Sequence, residues 1–177
     1  MVVTNREAIN NEEEKTPIIE KVVRISRISK VVKGGRHLRF NAVVVVGDGE
    51  GNVGIGMGKA AAVPDAVKKA SYSARKEIGP VILDDSTIPH EIIATFGSST
   101  VMLKPAKIGT GIIAGGAVRA VVELAGIRDV VTKARGSTNP VNTVKATLRA
   151  LQSLRNVNMT EEAVSYTHLT LPTSDLE

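Results

Sequence analysis

Residues 29–60 read SKVVKGGRHLRFNAVVVVGDGEGNVGIGMGKA, and this stretch decides the fold of the first half of the chain. Gly34 and Gly35 tolerate positive φ, so they predict a hairpin turn after the β-branched run over residues 18–32. Apolar residues then alternate at Leu38, Phe40, Ala42, Val44 and Val46, as in a strand with one buried face. After the turn GDGEGN, apolar residues alternate with glycines, which predicts a third antiparallel strand with one bare face, where a helix or the backbone of a bound molecule can approach closely.

A helix is predicted after this strand. Pro64 suits the first helical position, and the pair at residues 79–80, Gly-Pro, ends the pattern. The expected buried stripe consists of Val67, Ala70, Ala74 and Ile78. We therefore predict a β-β-β-α domain over residues 18–80. It follows an acidic arm over residues 1–17, whose composition is typical of disorder.

The second half, residues 81–156, predicts a two-layer β-β-α-β-α domain, so the whole chain belongs to the α+β class. A strand pair surrounds the turn FGSS, a helix covers residues 115–125 up to Gly126, and a strand covers residues 127–134. Asn139 can cap the last helix, with Pro140 at its first position. The buried stripe expected in this helix is Val141, Val144, Leu148 and Leu151.

Cations recur at every third position between residues 21 and 39, and no acid interrupts them. They are Lys21, Arg24, Arg27, Lys30, Lys33, Arg36 and Arg39. A period of three matches neither a strand nor a helix, so the charges should be spread around their element. Solvated surfaces usually mix both signs, and the absence of acids therefore favours a binding surface. Lys59, Lys68 and Lys69, around the start of the first helix, extend the set, because a helix N-terminus also attracts phosphate.

The charge of the chain is unevenly distributed. Residues 21–155 carry 21 cations and nine acids, whereas the flanking segments are acidic. Such a surplus predicts a polyanionic partner. The chain has only two Tyr, two Phe and no Trp, so it offers few rings on which single-stranded bases could stack. Folded RNA, or another phosphate-rich surface, therefore fits best.

Several classes of protein are disfavoured. There is no cysteine for a disulfide or a thiolate metal site, and His37, His90 and His168 are dispersed, so we expect no metal and no catalytic residues. No apolar run approaches the length of a membrane span, and the N-terminus has no apolar signal core. We therefore expect a soluble, cytoplasmic protein with no membrane partner.

The segment GTGIIAGG, residues 109–116, leaves a second function open. Its first six residues satisfy the dinucleotide fingerprint G-x-G-x-x-A, and Asp129 stands about where an acid that binds ribose would be expected. Pro105, however, interrupts the strand that should lead into the first glycine. A small nucleotide-dependent enzyme is thus the alternative to an RNA-binding protein without cofactor or small-molecule substrate.

The stretch over residues 29–60 and the later stretch GTGIIAGGAVRAVVELAGIRDVVTKARGSTNPVNTVKAT, residues 109–147, resemble the bacterial-type family of the fifth small-subunit ribosomal protein. The similarity extends from about residue 18 to residue 156. It implies an N-terminal domain related to double-stranded-RNA-binding domains and a C-terminal domain with a left-handed βαβ crossover. It also implies a non-enzymatic role in the small subunit, where the protein binds ribosomal RNA, contacts the fourth and eighth small-subunit proteins and supports decoding accuracy.

The resemblance also implies roles for particular residues. The hairpin with Ser29, Lys30, Lys33, Gly34, Gly35 and Arg36 matches the RNA-contacting loop of the family, near its spectinomycin site. The charge pattern adds five cations to the expected RNA-binding set: Arg24, Arg27, Lys59, Lys68 and Lys69. Gly111 and Arg119 match positions near the contact with the fourth protein.

The tail over residues 157–177 departs from the family, which usually continues with a short basic or amphipathic extension. From Val164 it reads VSYTHLTLPTSDL, which resembles a transposase sequencing adapter translated in frame. We therefore expect an artefact from about residue 164, and exclude this segment from the fold. Recovery of the same codons from genomic DNA by an adapter-free method would overturn this interpretation.

Overall fold

The computed structural model describes residues 17–155. The first half, to residue 80, contains β1 (Ile19–Val32), β2 (Gly35–Gly47), β3 (Asn52–Ala60), α1 (Val63–Lys76) and β4 (Gly79–Pro80). This confirms the predicted β-β-β-α order. The sheet has the strand order β1-β2-β3-β4 and is antiparallel throughout. The sequence did not predict β4, because its two residues pair through backbone atoms and carry no alternating pattern.

The second half contains β5 (Ile92–Phe96), β6 (Ser99–Pro105), β7 (Ile112–Ile113), α2 (Gly116–Leu124), β8 (Val130–Gly136) and α3 (Pro140–Gln152). Its sheet has the order β5-β6-β8-β7. Strands β7 and β8 are parallel and are joined by α2, so a βαβ crossover is present. The left hand of this crossover stays a prediction.

Two boundaries differ from the predictions: α1 ends at Lys76, before the Gly-Pro pair that was expected to end it, and β8 begins later than expected. Strand β8 begins at Val130 instead of Ile127, because the backbone N–H groups of Arg128 and Asp129 both donate to Ser86 O. The predicted acidic arm, apart from Pro17, and the predicted tail lie outside the described residues. Among residues 17–155, no helix has the length and apolar character needed to cross a membrane.

The bare face of β3 is covered by α1. Gly54, Gly56 and Gly58 face the helix, and a Cβ at any of them would overlap a backbone oxygen of Ala74, Ala70 or Ala66, respectively. Only glycine permits this approach, because any larger residue would push the helix away from the sheet. Of the two occupants that the sequence allowed for this face, the structure places the helix there.

The close approach also changes which helical residues are buried. The buried residues of α1 are Ala66, Ala70, Ser71 and Ala74, whereas Val67 and Ile78 are only partly buried. The predicted stripe is therefore shifted by part of a turn, because a helix this close to the sheet contacts it through small side chains. In α3, Val144 and Leu151 are buried as predicted, and Asn139 caps the helix by accepting from the N–H of Val141. Val141 and Leu148, by contrast, are only partly buried.

Residues 42–47 of β2 are buried on both faces of the sheet. Ala42, Val44 and Val46 pack with the alanines of α1, and Val45 on the other face joins the core of the second half. Backbone hydrogen bonds reinforce this shared core: Gly49 N–H donates to Leu124 O at 3.1 Å, and Gly51 N–H to Ala125 O at 3.1 Å. The two halves therefore pack on each other through one continuous apolar core.

We predict that Gly56→Ala destabilises the chain strongly. The added methyl group would meet the backbone of Ala70 and Ala74, which cannot move without shifting the helix, so the free energy of unfolding should fall by about 3 kcal/mol or more. Gly116→Ala is the matched control, because nothing lies within 4 Å of its Cβ position and its backbone is helical. It should change stability by less than about 1 kcal/mol. Urea denaturation measures both, and equal stabilities would contradict the packing described.

Candidate nucleic-acid interface

The pairing of β1 with β2 continues beyond the end of β3. The last pair between β2 and β3 joins Phe40 to Ala60, whereas β1 and β2 stay paired up to Val32 and Gly35. Residues 28–39 therefore form a two-stranded projection, which we name the basic arm. It extends roughly 17 Å beyond the end of β3, at about 3.4 Å per residue. Its residues are exposed, except for Ile28 and Val32, which are half-buried.

The tip of the basic arm is a two-residue turn formed by Lys33 and Gly34. Gly34 has a φ of +102°, in the region that favours glycine, and Gly35 has a φ of +156°. No atom of residues 17–155 lies within 4 Å of the Cβ position of either glycine. The glycines are therefore required by the backbone conformation and not by close packing against the described part of the chain.

The cations of β1 and β2 occupy both faces of the sheet. Residues that pair directly lie on the same face, and successive residues alternate. Arg24 pairs with Val43 and Lys30 with His37, so both point away from α1. Arg27 pairs with Phe40, on the face that carries α1. This arrangement confirms that charges repeating every three residues are spread around the element.

One face of the basic arm brings several candidates together. A cleft of about 410 Å³ is lined by Lys30, Ser29 and Lys59, together with His37, Arg39 and the apolar residues Ile28 and Val32. The sequence does not single out His37, and it places Arg39 in the period-three series but not in the expected RNA-binding set. Counting the register outward from the KGGR turn would have identified them, because it pairs Lys30 with His37 and Ile28 with Arg39.

The other candidates lie elsewhere on the sheet. Lys68 and Lys69 are exposed on α1, which covers the face opposite to Lys59. The structure therefore does not join these three lysines in one site, as the sequence suggested. Arg36 lies at the start of β2 next to the tip, and Arg27 lies further down on β1, on the face of α1.

Within residues 17–155, the cations of the basic arm have no acidic partners. Residues 17–155 form four ion pairs, and these involve Lys21, Arg75, Lys104 and Arg119. Lys21 pairs with Glu123 of α2, so the first cation of the period-three series is used inside the fold. The cations from Arg24 to Arg39, and Lys59, make no ion pair within the described part of the chain. Their charge is therefore available to an external anion.

Gly111 and Arg119 lie at the crossover in the second half. Gly111 has a φ of +74° and precedes β7. Arg119, on α2, donates from Nη2 to Ile112 O at 2.7 Å, and its Nε lies 3.8 Å from Glu123 Oε1. Arg119 also lines an open cleft of about 620 Å³ with Ile112 and Arg128. The two predicted interface residues are therefore brought to the same corner of the molecule.

Asp129 accepts hydrogen bonds from two glycines of GTGIIAGG. Its Oδ1 accepts from the N–H groups of Gly109 at 3.0 Å and Gly111 at 2.8 Å, and its Oδ2 accepts from Ser86 Oγ at 2.9 Å. The hydrogen bond from Gly111, followed by that from Ser86, holds the pKa of Asp129 below its usual value. The glycine N–H groups therefore bind a side chain of the protein itself.

The order of elements also contradicts the nucleotide-binding alternative. In a dinucleotide fingerprint the strand precedes the first glycine. Here three residues separate the end of β6 at Pro105 from Gly109, and a further strand, β7, lies between Gly111 and α2. The carboxylate that should bind a ribose is already hydrogen-bonded to the loop, and the glycines have a structural role.

Comparison with known proteins identifies the family. The N-terminal domain of ribosomal protein S5 matches residues 18–82, and the C-terminal domain of ribosomal protein S5 matches residues 94–163. The chain belongs to the ribosomal protein S5 family. S5 is a structural component of the small ribosomal subunit, so this member is a ribosome-bound protein of translation and not an enzyme.

Individual relatives of the S5 family agree with this assignment. The chain is 56% identical over 142 residues to the small ribosomal subunit protein uS5 of Syntrophobacter fumaroxidans, which covers 80% of this chain and 86% of the relative. It is 54% identical over 153 residues to uS5 of Chloroflexus aurantiacus, covering 86% of this chain and 85% of the relative. The chain is also 53% identical over 148 residues to uS5 of Lawsonia intracellularis, and this match covers 84% of this chain and 91% of the relative.

We predict that Asp129→Asn destabilises the chain at pH 7, because the amide replaces a charged acceptor of three hydrogen bonds. A carboxyl group whose pKa is lower in the folded state stabilises the fold at pH values above its pKa in the unfolded chain, about 3.9. This stabilisation is lost as the pH falls through the pKa of the folded state. The difference in unfolding free energy between parent and variant should therefore narrow below about pH 4. Glu50→Gln, in an exposed loop, is the control. A constant difference between pH 7 and pH 2 would contradict the role of the charge.

Proposed function

We propose that the chain binds small-subunit ribosomal RNA through its basic arm. The observation that carries this proposal is the set of exposed cations on residues 28–39, none of which forms an ion pair within residues 17–155. Phosphate groups are the most abundant anions on folded RNA, and Lys and Arg bind them without reading sequence. Arg24, Arg27 and Lys59 extend the contact from the arm to the body of the sheet.

The shape of the basic arm supports the same function. It is narrow, projects from the body and carries cations on both faces, so it can enter the space between two RNA segments and contact both. Gly34 and Gly35 at its tip have no side chains that would hold an RNA backbone at a distance. Lys68 and Lys69 provide a separate contact, because they lie on the other side of the sheet near the N-terminus of α1.

The crossover corner supports a role in docking neighbouring proteins. Gly111 directly precedes Ile112, whose carbonyl accepts from Arg119, and Ile108 and Ile113 are exposed on the adjoining loop and strand, by 87% and 53%. An exposed apolar surface next to charged groups is typical of a protein interface. We assign this corner to the fourth small-subunit protein and so to decoding accuracy, and the family resemblance adds the eighth protein as a second neighbour.

The organisation of the chain remains part of the proposal. We divide it near residue 80, close to the end of the N-terminal family match at residue 82. The C-terminal match ends at residue 163, directly before the segment attributed to an adapter, which supports that attribution.

We predict different effects for two changes at the tip of the basic arm. If about five cations contact phosphates, the logarithm of RNA affinity should fall with the logarithm of salt concentration with a slope of roughly 3.5 to 4.5. Lys33→Ala removes one charge and should lower this slope by about one. Gly34→Ala keeps every charge but strains a backbone with positive φ by about 1 kcal/mol, so it should weaken binding with the slope preserved.

RNA titrations at three salt concentrations separate these effects. Gly35→Ala should resemble Gly34→Ala, since its φ is also positive. If Lys33→Ala and Gly34→Ala both bind like the parent, the basic arm is only a solvated hairpin and the proposal fails.

We also predict that Arg119→Gln alters misreading during translation. The change removes a charge from the crossover corner without touching the basic arm, so the RNA affinity of the isolated protein should stay essentially unchanged. Its melting temperature must be measured as well, because Arg119 donates to Ile112 O inside the fold. Arg128→Gln, at the same cleft, is the control for charge alone. Unchanged misreading in cells that carry only Arg119→Gln would contradict the assignment of this corner.

A further inference from the structure

We propose that the two halves of the chain together form a second RNA contact, at a cleft between the first sheet and the loop before α3. The cleft has a volume of about 540 Å³. Arg24, Ser26 and Asn41 line it from β1 and β2, and Ser137, Thr138 and Asn139 line it from the loop. This inference rests on the proposed RNA-binding function and extends it to the second half.

Asn41 gives the first reason. Its Oδ1 is the only buried side-chain nitrogen or oxygen among residues 17–155 that lacks a hydrogen-bond partner. A buried acceptor without a donor is costly, and native proteins rarely keep one without a function. Because Asn41 lines the cleft, rotation of its amide group can turn Oδ1 toward a bound molecule. RNA carries a suitable donor on every nucleotide, the ribose 2′-hydroxyl group.

Arg24 gives the second reason. Its Nε donates to Ser26 Oγ at 3.3 Å, which directs the guanidinium group along the cleft wall. Arg24 has no ion pair within the described residues, and no acidic residue lines the cleft. A guanidinium group fits the geometry of a phosphate, so the cleft offers a cation for the phosphate and an acceptor for the neighbouring ribose.

The loop before α3 completes the site. Asn139 caps α3, a helix of 13 residues, and its side chain is occupied by the N–H of Val141. Thr138 is exposed at the rim of the cleft, and no hydrogen bond of its side chain is formed within the described part of the chain. The positive end of the helix dipole lies beside this rim and adds to the attraction by Arg24.

The cleft is continuous with the basic arm. Asn41 pairs with Lys59 across β2 and β3, and Ile28 pairs with Arg39, so the face that carries the cleft also carries the arm cations Lys30 and Arg39. The distance along β1 from Arg24 to Lys30 is roughly 20 Å at about 3.4 Å per residue. One folded RNA segment can therefore contact the arm and the cleft together, which favours RNA over a separate protein ligand.

The test compares Thr138→Glu with Thr138→Gln in titrations of the full chain with small-subunit ribosomal RNA. The two side chains have nearly the same size, so their difference reports charge alone. An acid at this position suits a helix N-terminus and should not disturb folding. We expect Thr138→Glu to bind about tenfold more weakly than Thr138→Gln at low salt, and the difference to shrink at high salt.

Asn41→Val provides an independent measurement. If Oδ1 finds its donor only in bound RNA, the variant should melt at a higher temperature than the parent and bind RNA about fivefold more weakly. If Asn41 had only a structural role, the substitution would not raise the melting temperature and weaken RNA binding at the same time. Equal RNA affinities of Thr138→Glu and Thr138→Gln, together with unchanged affinity of Asn41→Val, would overturn the second contact.

Lys33→Ala distinguishes this failure from failure of the proposed function. If Lys33→Ala weakens binding while the cleft variants bind like the parent, the basic arm binds RNA alone and the cleft is free or takes a protein ligand. If the parent shows no salt-dependent RNA binding, both the cleft contact and the proposed function are wrong.

Discussion

The contact between the glycines of β3 and the backbone of α1 is the constraint on which the rest of the structure depends. Gly54, Gly56 and Gly58 let the helix lie directly on the strand. Helix α1 packs on only one face of β2 and β3. The opposite face therefore packs against the apolar side chains of the second half. The core is thereby organised around the middle of β3, where three glycines leave the face of α1 without side chains.

The same packing leaves the basic arm outside the body. Helix α1 packs on β3 and on residues 42–46 of β2, and the hairpin beyond Phe40 is largely exposed. Two acids close to the start of β1 are used within the fold: Glu20 holds Arg75 and accepts from Ser71, and Glu123 holds Lys21. The hydrogen bond from Ser71, supported by Arg75, holds the pKa of Glu20 below its usual value, so this acid remains charged and bound within the fold. A surplus of positive charge on the arm is therefore part of the folded structure.

Features that depend on local sequence could be predicted, and features that depend on contacts between distant residues could not. The hairpin, the bare strand, Pro64 and the cap at Asn139 each follow from a few neighbouring residues. The role of Asp129 did not, because its partners Gly109 and Ser86 are far away in sequence and the glycine pattern imitates a nucleotide-binding loop. The cleft at Asn41 was invisible for the same reason, since its two walls come from different halves. Strands of two residues, such as β4 and β7, have no periodicity that a sequence could reveal.

The central claim, that the basic arm lies against ribosomal RNA, can be tested by directed cleavage. The chain has no cysteine, so Val31→Cys places a single thiol on the arm at a position that is 73% exposed. An iron chelate attached there generates hydroxyl radicals that cut nearby RNA after assembly into small subunits. Ile93→Cys, 62% exposed on β5, is the matched control away from the arm. The account predicts strong, localised cleavage of small-subunit ribosomal RNA from Val31→Cys; its absence in subunits that contain the labelled protein would contradict the account.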